Sequence, residues 1–173
     1  SVAGQIARII GCKTIGIAGT QEKLDWILSD LGFDHGINYK TDNVEDQLRK
    51  TCPEGIDVYF DNVAGPILDA VLANIAVHGR VALSGMMENY NKEEPVPGPY
   101  QFDMLLMRRA TITGFLSRDF FPRMEESDTQ MRKWMDQDLI TLRFDETEGI
   151  ENALASYERI FRGENIGKSI IKI

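Results

Sequence analysis

The residue whose position most directly suggests chemistry is Lys23, which lies where an apolar strand meets the start of a helix. Thr14–Ala18 is typical of a strand buried on both faces, and the hydroxyl of Thr20 can cap the helix that follows. The first turn of a helix attracts anions and disfavours a cation by about 0.3–1 kcal/mol. Lys23 is therefore either stabilised there by a bound anion or is a solvated lysine on an exposed turn.

The strand before Lys23 does not end in an acidic residue. Folds that bind NAD usually place an Asp or Glu at that point, where it binds the ribose hydroxyls. Glu22 is close, but it lies a residue or two into the turn. A lysine together with a missing strand-end acid predicts a phosphorylated ribose, and so favours NADP over NAD as the cofactor.

Composition excludes several classes of function. The net charge of -8 argues against general nucleic-acid binding. No apolar run approaches the length of a membrane span and no secretory leader is recognisable, so we expect no membrane partner and a cytoplasmic location. Cys12 and Cys52 are widely separated, which predicts two buried or idle thiols in a reducing compartment. With only two histidines, the soft ligands are too few and too scattered for a zinc site.

Strand and helix signals alternate along the chain, a pattern typical of right-handed crossovers in a parallel sheet. The predicted helices are 2–10, 21–31, 44–51, 66–75, 102–109, 124–137 and 150–161. The predicted strands are 14–18, 36–38, 56–60, 80–84, 111–116, 141–144 and 169–173, with a turn at 78–79 and a loop at 86–99. We therefore predict an α/β fold built on a Rossmann-type doubly wound parallel sheet.

The first element of such a fold has no counterpart in this sequence. A doubly wound nucleotide domain opens with a strand and a glycine-rich phosphate loop, whereas this chain opens on the helix that follows that loop. Gly4 is the candidate for the last, helix-packing glycine of the loop. The absent strand would be central and its absence would leave two unpaired edges, so we expect the chain to be part of a longer protein.

Eight motifs occur in the order and spacing of one group of enzymes: SVAGQIARIIGC, IAGTQEK, GFDHGINYKT, FDNVAG, GRVALSG, NYN, TGFL and GENIGK. The chain resembles the C-terminal portion of zinc-independent medium-chain dehydrogenase/reductases. It is most similar to the NADPH-dependent alkenal and alkenone double-bond reductases, which include prostaglandin reductases, leukotriene 12-hydroxydehydrogenases and curcumin reductases. The resemblance implies a cofactor-binding domain over residues 1–140. Residues 141–173 would form a strand–helix–strand segment that returns toward an N-terminal catalytic domain, and a homodimer is expected.

The resemblance also implies which residues contact the cofactor. Lys23 would bind the adenosine 2′-phosphate, and Tyr39 would lie beside that phosphate and its ribose. The other implied positions are Asn62 at a strand end, Ser84, Gly85 and Met86 under the nicotinamide side, Phe115, Leu116 and Ser117 facing the carboxamide, and Asn165 from the C-terminal segment. From the residues alone, Tyr39 would be an aromatic at a strand end, Asn62 a turn residue, and Phe115 and Leu116 core residues.

Tyr90 is the residue to which the resemblance assigns a catalytic role. It matches a tyrosine near the nicotinamide ribose and the substrate carbonyl, where it donates a proton or orients the substrate. A phenol is protonated at neutral pH and is a reasonable acid toward an enolate. Without the resemblance, Tyr90 would be a loop aromatic. The sequence departs from the family at Ala64, where relatives usually have a second glycine.

The resemblance therefore predicts that the parent protein transfers a hydride from NADPH to the β-carbon of an α,β-unsaturated aldehyde or ketone. Two alternatives stay open at this point: an NADPH quinone reductase of the same superfamily, and a non-catalytic fragment that binds a nucleotide or a protein partner. A methyltransferase is disfavoured by Lys23 and by the ordered motifs. We expect this chain alone to have no turnover.

Overall fold

The computed structural model describes residues 1–90, 92–94 and 96–173, so Asn91 of the NYN motif and Pro95 of the predicted loop lie outside the described residues. The helices are α1 (Val2–Ile9), α2 (Gln21–Ser29), α3 (Val44–Thr51), α4 (Gly65–Ala73), α5 (Asp103–Arg108), α6 (Met124–Asp136) and α7 (Ala153–Phe161). The strands are β1 (Ile15–Ala18), β2 (His35–Asn38), β3 (Ile56–Asp61), β4 (Ile75–Leu83), β5 (Thr111–Gly114), β6 (Phe144–Glu148) and β7 (Lys168–Lys172). Short 3₁₀ turns cover Met87–Asn89, Ser117–Arg123 and Ile150–Asn152.

The strands form three parallel sheets. β1 pairs with β2, β4 lies between β3 and β5, and β6 pairs with β7. Parallel strands joined through helices confirm the predicted α/β class. Among the residues that the structure describes, β1 and β3 each pair with a strand on one side only.

The chain divides into two compact units. The first contains Ser1–Lys40 and Glu126–Ile173, and the second contains Thr41–Glu125. This division does not address the predicted boundary at residue 140, which stays a prediction. No helix in the described part of the chain is long and apolar enough to cross a membrane.

The core of the first unit is built on one face of α2. The buried residues Leu24, Trp26, Ile27 and Leu31 form this cluster, and the partly buried Ala18, Phe33 and Ile166 pack against it. The C-terminal segment is also held to α1, because the amide of Gln5 donates to the Thr141 carbonyl and accepts from the Thr141 N–H. Residues from both ends of the chain therefore stabilise the same unit.

The core of the second unit is built on the apolar side of α4. Leu68, Val71 and Leu72 are buried there, together with Val81 of β4 and Leu48 of α3. Pro66 lies in the first turn of α4, where its missing N–H needs no partner.

The structure corrects three predictions about β3 and β4. α4 ends at Ala73, so Ile75 begins β4 instead of ending the helix. The turn predicted at residues 78–79 is an irregularity inside that strand: His78 has φ 63°, and the register shifts between Ile56 and Val58 on β3. A bulge of this kind bends a strand without ending it. The predicted burial of β3 is also wrong, because Asp57, Val58 and Phe60 are exposed, Val58 by 54% and Phe60 by 44%.

One strand prediction near the C-terminus is wrong, and of the prediction of two buried or idle thiols the burial alternative does not hold for Cys12. The strand predicted at 141–144 lies at Phe144–Glu148, where β7 is its partner. Its sequence, FDETE, has few apolar residues, so periodicity gave little signal. Cys12 is exposed and is therefore not one of two buried thiols, while Cys52 is half-buried.

Candidate cofactor-binding site

The helix start that carries Lys23 has the predicted cap. The hydroxyl oxygen of Thr20 accepts a hydrogen bond from the Lys23 backbone N–H at 3.3 Å, as expected of a threonine N-cap. The Lys23 ammonium is half-buried and donates to the Gly163 carbonyl oxygen at 2.5 Å. The residue is therefore held between the first turn of α2 and the loop that joins α7 to β7.

Charges of both signs lie near Lys23. Burial lowers the pKa of Lys23, the nearby positive charge of Lys40 lowers it further, and Asp145 and Glu22 oppose both effects. A phosphate bound beside Lys23 and Lys40 would offset the repulsion that Lys23 experiences from Lys40. This donor set fits the phosphate monoester that distinguishes NADP from NAD.

Tyr39 lies against the turn that precedes α2. A Cβ added at Gly19 would come within 2.7 Å of the Tyr39 hydroxyl, so only glycine lets the ring take this place. The Tyr39 N–H donates to the Ala18 carbonyl at 3.1 Å, which holds the Tyr39 backbone beside the end of β1. This role of Gly19 was not predicted from the sequence. The sequence signal that could have revealed it is that Gly19 and Tyr39 directly follow two neighbouring strands, β1 and β2.

Asn165 and Gly163 belong to one loop, which Asp145 supports. The Asp145 carboxylate accepts from the Ile166 N–H at 3.1 Å and from two guanidinium nitrogens of Arg159 at 3.2 Å. The Asn165 side-chain amide donates to the Gly167 carbonyl at 2.9 Å. Through Gly163, this loop comes into contact with Lys23, so the structure brings a C-terminal site residue near the predicted phosphate position.

Gly4 has a packing role in the structure. A Cβ at Gly4 would overlap the ring of Phe33, so glycine allows α1 to approach that ring. This agrees with its prediction as a helix-packing glycine. The structure does not address its contact with a cofactor.

In the second unit, β3 ends in a turn built on the buried carboxylate of Asp61. One oxygen of Asp61 accepts from the Val63 N–H at 2.8 Å, the Ala64 N–H at 2.9 Å and the Tyr59 hydroxyl at 3.0 Å. Burial and the adjacent Asp61 raise the pKa of Tyr59, so its phenol is a donor at neutral pH. Asn62 follows directly and is exposed.

The end of β4 lies against this turn. The N–H groups of Ser84 and Gly85 donate to the Asp61 backbone carbonyl at 2.8 and 3.2 Å. A Cβ at Gly85 would lie 3.2 Å from the Asn62 carbonyl oxygen, which is tighter than most real contacts. Glycine therefore lets the two strand ends come close together.

Tyr90 closes the loop that begins at Met86. Its hydroxyl oxygen accepts from the Met86 N–H at 3.3 Å, and the Met87 N–H donates to the Asn62 carbonyl at 3.1 Å. The phenol hydrogen stays available, since the oxygen is the acceptor in this contact. The structure thus brings the exposed Tyr90 and Met86 to the same place as Asn62 and Gly85.

Phe115, Leu116 and Ser117 follow the end of β5, which stops at Gly114 and not at the predicted Leu116. The Phe115 N–H still donates to the Leu83 carbonyl at 3.2 Å, and the Leu116 N–H donates to the Asp119 carboxylate at 2.9 Å. Eight predicted site residues therefore follow the carboxyl ends of three neighbouring parallel strands, where doubly wound sheets bind ligands. These are Asn62, Ser84, Gly85, Met86, Tyr90, Phe115, Leu116 and Ser117.

Comparison with known proteins decides the family. A family model described as zinc-binding dehydrogenase matches residues 1–135. The chain belongs to the zinc-binding dehydrogenase family. Membership of this family does not by itself assign a metal site to this chain. Within the part of the chain that the structure describes, no three His, Cys, Asp or Glu residues are grouped so that they could hold a metal ion.

Individual members of the zinc-binding dehydrogenase family match over the whole chain. The NADPH-dependent curcumin reductase of Escherichia coli is 35% identical over 178 residues, with 100% of this chain and 52% of that protein covered. The NADP(+)-dependent 2-alkenal reductase of Nicotiana tabacum is 34% identical over 173 residues, with 99% and 50% covered. These matches confirm the resemblance, and the chain spans about half the length of these relatives.

A solved structure of the zinc-binding dehydrogenase family confirms the fold. The crystal structure of CurA from Vibrio vulnificus in complex with NADPH matches with a TM-score of 0.91 and 35% identity, covering 98% of this chain and 52% of CurA. The predicted Rossmann-type α/β fold is therefore confirmed.

Proposed function

We propose that this chain is the cofactor-binding part of an NADPH-dependent oxidoreductase that reduces the C=C bond of α,β-unsaturated aldehydes or ketones. The cofactor assignment depends above all on Lys23, whose half-buried ammonium lies at the start of α2 beside the positive charge of Lys40. The reaction is inferred from relatives named for NADPH-dependent curcumin reduction and 2-alkenal reduction. The surroundings of Lys23 and the matches to these relatives both concern residues of this chain. The catalytic activity is proposed for the full-length protein.

The residues divide between the two ends of the cofactor. Lys23 would bind the 2′-phosphate, with Tyr39 beside it and Asn165 on the neighbouring loop. Gly4 would serve as the last glycine of the phosphate loop, which lets the helix after that loop pack closely. Asn62, Ser84, Gly85, Met86, Phe115, Leu116 and Ser117 would surround the nicotinamide side.

Bound NADPH would supply the hydride that adds to the β-carbon of the substrate. Tyr90 would act on the other end of the conjugated system, because its phenol hydrogen stays available while its oxygen accepts from Met86. From there it can donate a hydrogen bond to the substrate carbonyl or a proton to the α-carbon of the enolate. We propose that no zinc takes part, since conjugation with the carbonyl already makes the β-carbon electrophilic. A homodimer, a cytoplasmic location and a domain boundary at residue 140 complete the proposal.

The decisive experiment measures cofactor preference in the full-length protein. Titration with NADPH and NADH should show preference for NADPH, and Lys23→Ala should reduce the ratio of the two affinities by about 10-fold, the lower end of the range for a hydrogen bond to a charged group, because the phosphate replaces the Gly163 carbonyl. Lys50→Ala is the matched control, because Lys50 is an exposed lysine on α3 and should leave the ratio unchanged. Equal affinity of the wild type for both cofactors would contradict the phosphate assignment.

The substrate is tested in the same preparation. We expect NADPH oxidation with 2-alkenals and enones, and little with quinones. Turnover with quinones alone would favour the quinone reductase alternative, while NADPH binding without any turnover would favour a binding protein.

A further inference from the structure

We propose that Asp61 is a positioning residue of the reductase site: it shapes the turn that carries Asn62 and, through that turn, sets the segment that carries Tyr90. This inference rests on the proposed function. Asp61 lies outside the residues that the sequence predicts for the site, and no cofactor or substrate contact is assigned to it.

The first observation is how Asp61 is buried. Its side chain is 0% exposed, and a single carboxylate oxygen accepts from Tyr59, Val63 and Ala64. The other oxygen is buried and has no hydrogen-bond partner among the described residues. A buried carboxylate is costly unless it is hydrogen-bonded, so the three donors stabilise the Asp61 side chain. The carboxylate in turn holds the backbone of Val63 and Ala64 in place.

The second observation is the strain of the turn that Asp61 holds. Ala64 has φ 64° and ψ -149°, a conformation that a residue other than glycine adopts only when its surroundings impose it. Its N–H is one of the three donors to Asp61. Loss of the carboxylate would release this turn toward a relaxed geometry.

The third observation is that the turn and the Tyr90 segment are hydrogen-bonded to each other along their length. Three consecutive carbonyls from the turn, those of Asp61, Asn62 and Val63, accept from N–H groups between Ser84 and Glu88. The donors are Ser84, Gly85, Met87 and Glu88, and Met86 lies between them. Tyr90 is then tied to this segment through the Met86 N–H. A shift of the turn must therefore move the tyrosine as well.

The expected consequence is a loss of rate at saturating NADPH. Misplacing reacting groups by about 1 Å can cost about 100-fold in rate. Because the same turn carries Asn62, which is proposed to lie on the nicotinamide side, NADPH affinity is measured separately and rates are compared at saturating NADPH.

Four variants of the full-length protein separate the possible roles. Asp61→Ala removes the acceptor, whereas Asp61→Asn keeps an acceptor oxygen for Val63 and Ala64 and removes only the charge. Asp57→Ala is the matched control, since Asp57 is an exposed aspartate on the same strand. Tyr59→Phe removes one of the three donors without exposing a buried charge, and it serves if Asp61→Ala does not fold.

The experiment measures the rate of 2-alkenal reduction per molecule of bound NADPH, so that unfolded protein does not count. We expect Asp61→Ala to lower this rate by about 10- to 100-fold, Asp61→Asn to keep most of it, and Asp57→Ala to keep all of it. Tyr59→Phe should lower it by a smaller factor.

A double-mutant cycle with Tyr90→Phe gives the test that a merely structural role would not pass. If Asp61 acts through the Tyr90 segment, Asp61→Ala combined with Tyr90→Phe should lose little more than the worse single variant. Tyr59→Phe replaces Asp61→Ala in the cycle if the latter does not fold. Effects that multiply, or an Asp61→Ala rate equal to that of Asp57→Ala, would overturn the inference and leave the proposed function intact. A wild type without reductase activity would overturn both.

Discussion

At the residue scale, Ala64 shows what a methyl group can cost at a position where the backbone geometry favours glycine. The sequence identified Ala64 as a departure from the second glycine that relatives usually have, and the structure gives it φ 64° with a side chain that is almost fully buried. An alanine in this conformation costs about 1–3 kcal/mol, which a glycine avoids. The Asp61 hydrogen bond to its N–H helps to offset that cost.

We therefore predict that Ala64→Gly stabilises the protein. The free energy of unfolding should rise by about 1 kcal/mol, after allowing for the greater freedom of glycine in the unfolded chain. Urea denaturation of the full-length protein measures the change. Ala70→Gly is the matched control. Because Ala70 lies inside α4, this change should lower the free energy of unfolding by about 1 kcal/mol. A loss of stability in Ala64→Gly would mean that the turn is not strained.

The site could be predicted from the sequence only in part at this scale. The position of Lys23 followed from a local strand, cap and helix pattern. Its contact with Gly163 joins residues separated by 140 positions, and no local pattern encodes such a pair. Asp61 was missed for the opposite reason: an aspartate at the end of a strand is common in turns, and only its burial distinguishes it.

At the scale of elements, the pairing of β1 with β2 begins at Asp34. The Asp34 carboxylate accepts from the Thr14 N–H at 2.7 Å and from its hydroxyl at 3.2 Å. The hydrogen bond from the Thr14 backbone is the main cause of a lowered pKa of Asp34. The next residues, Ile15 and His35, are the first pair of the ladder. An exposed carboxylate thus sets the register of two strands.

This contact predicts a dependence of stability on pH. Because the folded-state pKa of Asp34 is lowered, its contribution is present above the unfolded pKa of about 3.9 and is lost as the pH falls through the folded value. Asp34→Asn should therefore be less stable than the wild type at pH 7, with the difference shrinking below about pH 4. Denaturant titrations from pH 7 to pH 3 measure this difference. Asp128→Asn, an exposed change on α6, is the control, and a difference that stays constant with pH would contradict the prediction.

Helices could be predicted from the sequence better than strand boundaries. The capping side chains of Thr20 and Asn43 and the glycines after α1 and α2 are local signals, and α1, α2 and α3 lie within two residues of their predicted bounds. β4 begins five residues before its prediction because His78 and Gly79 read as a turn, while tertiary pairing with β3 keeps them in a strand. The polar sequence of β6 gave no strand period, so its place depends on its partner β7.

At the scale of the whole molecule, the chain matches relatives across their cofactor-binding half. The proposed acid Tyr90 is 60% exposed, and the strand ends around it are open to solvent in this chain. An enzyme that protonates an enolate needs walls that orient the substrate and exclude water.

We therefore predict that residues 1–173 alone do not reduce 2-alkenals, although the full-length protein does. NADPH oxidation followed at equal concentrations of the two proteins is the measurement, with circular dichroism as the check that the shorter chain is folded. Turnover of the folded 173-residue chain at the full-length rate would show that the substrate site is complete without any further segment.

The hydrogen bond between Lys23 and Gly163 has one more consequence, which concerns selectivity. The lysine already has a partner when no phosphate is near, so NADPH must exchange a carbonyl for a phosphate, whereas NADH can leave the carbonyl in place. The discrimination between the two dinucleotides is then the difference between two contacts rather than the full strength of one. A change in the position of the Gly163 carbonyl would therefore alter that discrimination through Lys23.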